Sequence, residues 1–141
     1  MTAYGPLSLP TPTPETQNFW AAAGHGELLI QRCRTDGTYF SYWRKDAFCP
    51  TCRSADVEDA VASGHGFVYS FVINQRDLPG ILPPAPSVIA LVELDEGPRI
   101  AAALSEVQAT PEGVDLDMRV EVRFDRRGDF AVPYFVPEGE K

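Results

Sequence analysis

The stretch from Cys33 to Cys52, CRTDGTYFSYWRKDAFCPTC, holds all three cysteines of the chain and constrains its fold more than any other segment. Cys49-Pro50-Thr51-Cys52 is a C-x-x-C, and Cys33 stands upstream of it, followed by Arg34, Thr35 and Asp36. A ribbon-type metal site takes two knuckles, each presenting two thiolates on a tight turn, so that Zn²⁺ gains four tetrahedral ligands. The second knuckle is complete, and the first carries Asp36 where its second cysteine would stand. Carboxylate oxygen is an accepted zinc ligand, so the candidate set is Cys33, Asp36, Cys49 and Cys52. Four protein ligands leave no open position for a substrate, which makes the expected role structural. The alternative is a metal-free ribbon held by packing of Tyr39, Phe40, Tyr42 and Trp43, because a hard oxygen in place of a soft thiolate weakens the site. The residues alone leave both standing.

An odd cysteine count fits reduced or metal-bound thiols better than a secreted disulfide framework, which predicts a cytoplasmic protein. No apolar run reaches the roughly 18 residues of a membrane helix. The start, MTAYGPLSLPTPTP, lacks the charged beginning and apolar core of a signal peptide. The net charge of −8 is uneven: −2 over residues 1–31, +3 over residues 32–53 and −9 over the remainder. The acidic main body argues against general nucleic-acid binding, which rests on neutralising phosphates. The local basic patch of Arg32, Arg34, Arg44, Lys45 and Arg53 is compatible with one small phosphorylated ligand, or with a solvated knuckle surface.

Along the chain, residues 1–12 are rich in proline and small polar residues and are expected to be extended or disordered. Thr13-Pro14-Glu15 reads as a helix start, with the helix running to about Ala23 and stopping at Gly24. Glu27–Arg32 and Thr38–Phe40 read as strands flanking the first knuckle, with Gly37 permitting the turn. Val57–Val61 is a further strand, and Phe67–Asn74 a strong one. Its alternation predicts Phe67, Tyr69, Phe71 and Ile73 on one face and Val68, Ser70, Val72 and Asn74 on the other. Ser87–Leu94, Arg99–Leu104, the segment around Val120–Phe124, and Phe130–Val136 follow as strands, with Glu106–Leu116 as a loop or short helical turn. Five short strands with one long connection fit a small closed barrel of OB type. The fold class is therefore mainly β: an N-terminal tail and helix (1–25), a rubredoxin-like zinc ribbon (26–56) and a C-terminal OB-fold barrel (57–141).

The proline-rich connection Arg76–Pro86 is too long for a tight hairpin. Long ordered loops in compact domains are often functional. Leu78, Pro79, Ile81, Leu82, Pro83 and Pro84 are its candidates for contacting a partner. His25 and His65 stand in no recognised catalytic spacing, and no base is evident to activate a cysteine nucleophile. No phosphate-loop pattern is present. The sequence offers no self-contained catalytic constellation and reads as a binding or accessory subunit.

The order of features resembles the zinc-ribbon OB-fold family known as domain of unknown function thirty-five, small proteins that accompany thiolase-like enzymes. The resemblance lies in Phe19-Trp20, Gly26-Glu-Leu-Leu-Ile-Gln-Arg-Cys33 and Phe48-Cys-Pro-Thr-Cys52. It continues through Ser63-Gly-His-Gly-Phe-Val-Tyr-Ser-Phe71, Ala90-Leu-Val-Glu-Leu-Asp-Glu-Gly-Pro98 and Val120-Glu-Val-Arg-Phe124. It spans residues 14 to 137 and departs from the family's four-cysteine pattern at Asp36. The resemblance implies a heteromeric complex with a thiolase, a lipid-transfer-protein-type retro-aldolase of steroid side chains, or a related acyltransferase. The partner would carry the catalytic groups, and the small subunit would support it and the acyl-CoA site. Arg32, Arg34, Arg44, Lys45 and Arg53 are then candidates to meet CoA phosphates. Two other functions stand beside this one. A single-stranded nucleic-acid binder would show salt-dependent oligonucleotide binding, and a stand-alone acyl-CoA module would bind its ligand without a partner.

Overall fold

The computed structural model describes residues 12–42, 47–78, 83–128 and 130–139. Among these residues the one helix of more than a turn, α1 (Gln17–Gly24), begins later than Thr13-Pro14 suggests. Residues 14–16 form a turn first, in which Thr13 O accepts from both Thr16 N and Gln17 N. The Thr16 hydroxyl makes no capping bond to the helix but accepts from Thr13 N. The helix ends at Gly24, where the sequence places its stop, and Gly26 two residues beyond supplies the left-handed cap. Gly26 has φ +80°, and the bonds Gly26 N to Ala23 O and Glu27 N to Ala22 O complete a Schellman cap.

Three strands form the ribbon sheet, β1 (Leu29–Cys33), β2 (Tyr39–Ser41) and β3 (Val57–Val61), in the order β2-β1-β3. β3 pairs with β1 from Leu29↔Val61 to Cys33↔Val57, so its ladder belongs to the ribbon side rather than to the barrel. Central placement explains why Leu29, Ile30, Gln31 and Cys33 are all buried, on both faces of β1.

The barrel strands are β4 (His65–Asn74), β5 (Ser87–Leu94), β6 (Arg99–Leu104), β7 (Arg119–Arg127) and β8 (Phe130–Pro137). They close in the order β4-β5-β6-β8-β7, an OB-type barrel as the sequence predicts. The segment 105–118 between β6 and β7 contains one 3₁₀ turn, Pro111–Gly113, capped by the Thr110 hydroxyl.

The simple alternation expected along β4 fails at Tyr69. The register jumps from Val68↔Val92 to Ser70↔Leu91, leaving Tyr69 as a bulge residue. One extra residue exchanges the two faces of a strand. Val68 is accordingly buried, whereas beyond the bulge Phe71 and Ile73 are the residues packed on the core, and Val72 points out with 60% of its surface exposed.

One core fills the barrel with Val68, Val88, Ala90, Val92, Leu94 and Phe135, and reaches Leu28 and Ile30 beneath the ribbon. Burying each large aliphatic or aromatic side chain of this kind contributes roughly 1.5–3 kcal/mol. A second, smaller cluster joins Cys33, Phe40, Ala47 and Cys49, with Val57 against it. No helix among the described residues is long and apolar enough to cross a membrane.

Candidate functional site

The two knuckles repeat one local structure. Gly37 N donates to Cys33 O and Arg53 N to Cys49 O, each at 2.9 Å. Cys33 N donates to Thr38 O and Cys49 N to Ser54 O, closing each turn at the same place. The left-handed position after the second ligand is Gly37 (φ +80°) in one knuckle and Arg53 (φ +64°) in the other. Cross-knuckle hydroxyl bonds complete the pattern: Thr35 with Ser54 at 2.9 Å, and Thr38 with Thr51 at 3.1 Å. Asp36 therefore occupies the position that Cys52 holds in the partner knuckle.

The ligand atoms of Cys33, Asp36, Cys49 and Cys52 all lie within 4.8 Å of one another. Cys33 Sγ is 3.6 Å from Cys52 Sγ, and Cys49 Sγ is 3.6 Å from both Asp36 oxygens. A tetrahedral ion with metal–sulfur bonds of about 2.3 Å needs ligand–ligand edges of about 3.8 Å, so the cluster fits one. Cys33 and Cys49 are fully buried, and Asp36 and Cys52 are exposed. The backbone N–H groups of Thr35 and Asp36 point at Cys33 Sγ, at 3.3 and 3.5 Å.

The electrostatics favour the ligand forms of Asp36 and Cys49 and disfavour that of Cys52. The Asp36 carboxyl is held well below the usual carboxylate range, first by the Thr51 hydroxyl on Oδ2 and then by the Thr38 N–H on Oδ1. Burial pushes the Cys49 thiol up. Hydrogen bonds from the Thr51 hydroxyl and from the Cys52 and Thr51 backbone outweigh it and bring the thiol down to about 7. At Cys52 the Ser54 backbone bond lowers the thiol. Burial and the neighbouring Cys33, Cys49 and Asp36 together raise it to about 11.

The other candidate residues scatter. Arg32 is ion-paired to Glu58 at 3.1 Å, and Arg34 reaches Asp56 at 2.9 Å and Glu58 at 3.2 Å. Both guanidiniums thus lie against carboxylates at the β3 edge of the sheet. Arg53 is exposed at the rim of the second knuckle, and Arg44, Lys45 and Trp43 lie outside the described residues. In the proline-rich loop, Leu78 and Pro83 are half-buried and Pro84 is exposed, while Pro79, Ile81 and Leu82 lie outside the described residues. The base of the loop is clamped: Ala85 N donates to Asp77 Oδ1 at 2.8 Å, and Asn74 Nδ2 bonds both Arg76 O and Ser87 Oγ. It joins the first two barrel strands, the place of one of the ligand-contacting loops of OB folds.

Neither histidine approaches the cysteines. His25 Nδ1 bonds Ala21 O at the end of α1, and His65 pairs with Glu138 across the barrel mouth. The hydroxyls of Thr35, Thr38, Thr51 and Ser54 were not singled out from sequence. The parallel Cys33-Arg-Thr-Asp-Gly-Thr38 and Cys49-Pro-Thr-Cys-Arg-Ser54 carries the signal for them.

The family model described as the C-terminal OB-fold domain of ChsH2 matches residues 60–125. A DUF35 domain-containing scaffold protein of Methanocaldococcus jannaschii is 36% identical over 100 residues, covering 70% of this chain and 68% of that protein. A probable enoyl-CoA hydratase alpha subunit of Thermomonospora curvata is 32% identical over 136 residues, covering 91% of this chain; the chain spans only 40% of that protein's length. Among solved structures, a chain of the Ltp2-ChsH2(DUF35) aldolase aligns with a TM-score of 0.75 at 29% identity, covering 92% of this chain and 98% of that one. Paired knuckles joined to a five-stranded barrel, and identity over two thirds of a DUF35 scaffold protein, make the chain a member of the DUF35 family.

Proposed function

We propose that this chain is a non-catalytic accessory subunit of an acyl-CoA enzyme complex. Its partner would be a thiolase-like or lipid-transfer-protein-type aldolase subunit that carries the reaction. The observation that carries this reading is the match along 98% of a chain from an aldolase whose name joins two components, Ltp2 and ChsH2(DUF35). The hydratase alpha subunit supports the acyl-CoA part, since most of this chain corresponds to two fifths of it. The separation of both histidines from the cysteine cluster supports assigning acid–base chemistry to the partner.

Within this reading Cys33, Asp36, Cys49 and Cys52 hold zinc, which ties the two knuckles together and offers no open coordination position. The loop around Leu78, Pro83 and Pro84, with Pro79, Ile81 and Leu82 between them, docks on the partner. Of the basic candidates for CoA phosphates, Arg53 is the described one whose side chain is not already ion-paired to β3 or its flank.

Coexpression with a thiolase-like or aldolase subunit, followed by size exclusion with mass measurement, tests the assembly. Co-elution as one particle containing both chains is expected. Separate elution, with the partner fully active alone, would overturn the reading.

A further inference from the structure

The knuckles Cys33-Arg-Thr-Asp-Gly-Thr38 and Cys49-Pro-Thr-Cys-Arg-Ser54 align residue for residue, which matches Thr35 with Thr51, Asp36 with Cys52 and Thr38 with Ser54. The cross-knuckle hydroxyl bonds obey that symmetry, Thr35 meeting Ser54 and Thr51 meeting Thr38. The approach of the two threonines to the cysteine cluster breaks it. Thr35 reaches the cluster through its backbone N–H, 3.3 Å from Cys33 Sγ. Thr51 reaches it through its hydroxyl, which donates to Asp36 Oδ2 and lies 3.1 Å from Cys49 Sγ.

That asymmetry answers a problem which Asp36 creates. A cysteine sulfur is placed by one side-chain torsion, whereas a carboxylate adds a second, broad one. Asp36 is also exposed, so an untethered carboxylate would turn towards water and leave three thiols facing one another. Here both oxygens are held. Thr38 N donates to Oδ1 at 2.9 Å, and the Thr51 hydroxyl donates to Oδ2. The first bond is the ordinary turn contact of an aspartate with the backbone two residues on. The second comes from the other knuckle and fixes the plane of the carboxylate. A carboxylate offers about four lone-pair sites, so two bonds leave room for a metal. The Thr51 proton is not needed at Cys49, whose sulfur accepts from the Thr51 and Cys52 backbone, as Cys33 Sγ accepts from that of Thr35 and Asp36.

We propose that Thr51 is the positioning residue of the metal site: its hydroxyl holds Asp36 as the fourth ligand, so that oxygen can serve where the twin knuckle uses sulfur. This inference rests on the reading above that Cys33, Asp36, Cys49 and Cys52 hold zinc. The role belongs to the carboxylate, and with a thiolate at position 36 the hydroxyl has no oxygen to hold. Groups that orient a metal ligand in this way typically account for 10- to 100-fold in metal affinity.

The test is a double-mutant cycle on the full chain, with zinc affinity read by chelator competition. Thr51→Val keeps the branched shape at an exposed position and removes the hydroxyl; Thr51→Ser keeps the hydroxyl. Thr51→Val should lower zinc affinity by about 10- to 100-fold, and Thr51→Ser should stay within about threefold of the parent. In the Asp36→Cys background, Thr51→Val should change affinity by less than about threefold. Parent-like affinity in Thr51→Val, or a loss that Thr51→Ser shares, would overturn the assignment. So would an equal loss in both backgrounds, which marks Thr51 as a support of the turn and not of the carboxylate. The two readings separate: a parent chain that binds zinc while Thr51→Val binds it equally refutes the role of Thr51 alone. A parent chain that binds no zinc refutes the four-ligand reading, and this one with it.

Discussion

With zinc held by the four residues as proposed, replacing Cys49 with serine is expected to abolish metal binding and loosen both knuckles. Cys49 is fully buried, lies 3.6 Å from both Asp36 oxygens, and has the Thr51 hydroxyl 3.1 Å from its sulfur. Its side chain is also part of the small core formed with Cys33, Phe40 and Ala47. Removing a ligand costs more than the 10- to 100-fold loss typical of an outer-shell change, so zinc affinity should fall by more than about 100-fold. Because binding free energy at such sites is folding free energy, the ribbon should melt with the metal. Metal analysis together with a thermal melt checks both effects. Asp36→Cys is the converse experiment. It restores a fourth soft ligand at the position equivalent to Cys52 and should raise affinity, by about tenfold or more in a chelator competition. Retention of full metal content by Cys49→Ser would mean that these four residues are not the site.

The second large effect is expected in the barrel, at Gly66. This residue pairs with Leu94 on one side and Val120 on the other, joining β4 to both neighbours. A Cβ there would lie 2.3 Å from the Glu93 carbonyl oxygen and 3.0 Å from Leu94 Cα. Both obstacles are backbone within a ladder, so no side chain can swing aside. Gly66→Ala should destabilise the protein by about 3 kcal/mol, the upper end for overpacking. At this chain length that is a fall of roughly 10 °C in melting temperature. A melt within a degree or two of the parent would show that the β4–β5 spacing is looser than described.

The architecture was largely legible because its signals are local. Strands β5 and β6 stand where their apolar runs and the Asp95–Pro98 turn place them, and the knuckles stand where the cysteines do. What sequence missed depends on neighbours. The bulge at Tyr69 arises only when β4 must register with β5, so no feature within Phe67–Asn74 announces it. The helix start was misplaced because Thr13-Pro14 satisfies the rules for a cap, yet Thr13 begins a turn instead. The ribbon arginines looked free because their charge stands out along the chain, whereas Glu58 and Asp56, far off in sequence, meet them in space. The cluster of Cys33, Asp36, Cys49 and Cys52 was visible in full, since a C-x-x-D-G and a C-x-x-C at matching positions encode the same turn twice.

Reconstitution of turnover tests the central claim most directly. The purified chain, its thiolase-like or aldolase partner, and an equimolar mixture are each assayed with the partner's CoA thioester. Activity should be absent from the chain alone, low in the partner alone, and restored in the mixture. Turnover by this chain alone, or a partner whose rate is the same with and without it, would contradict an accessory role.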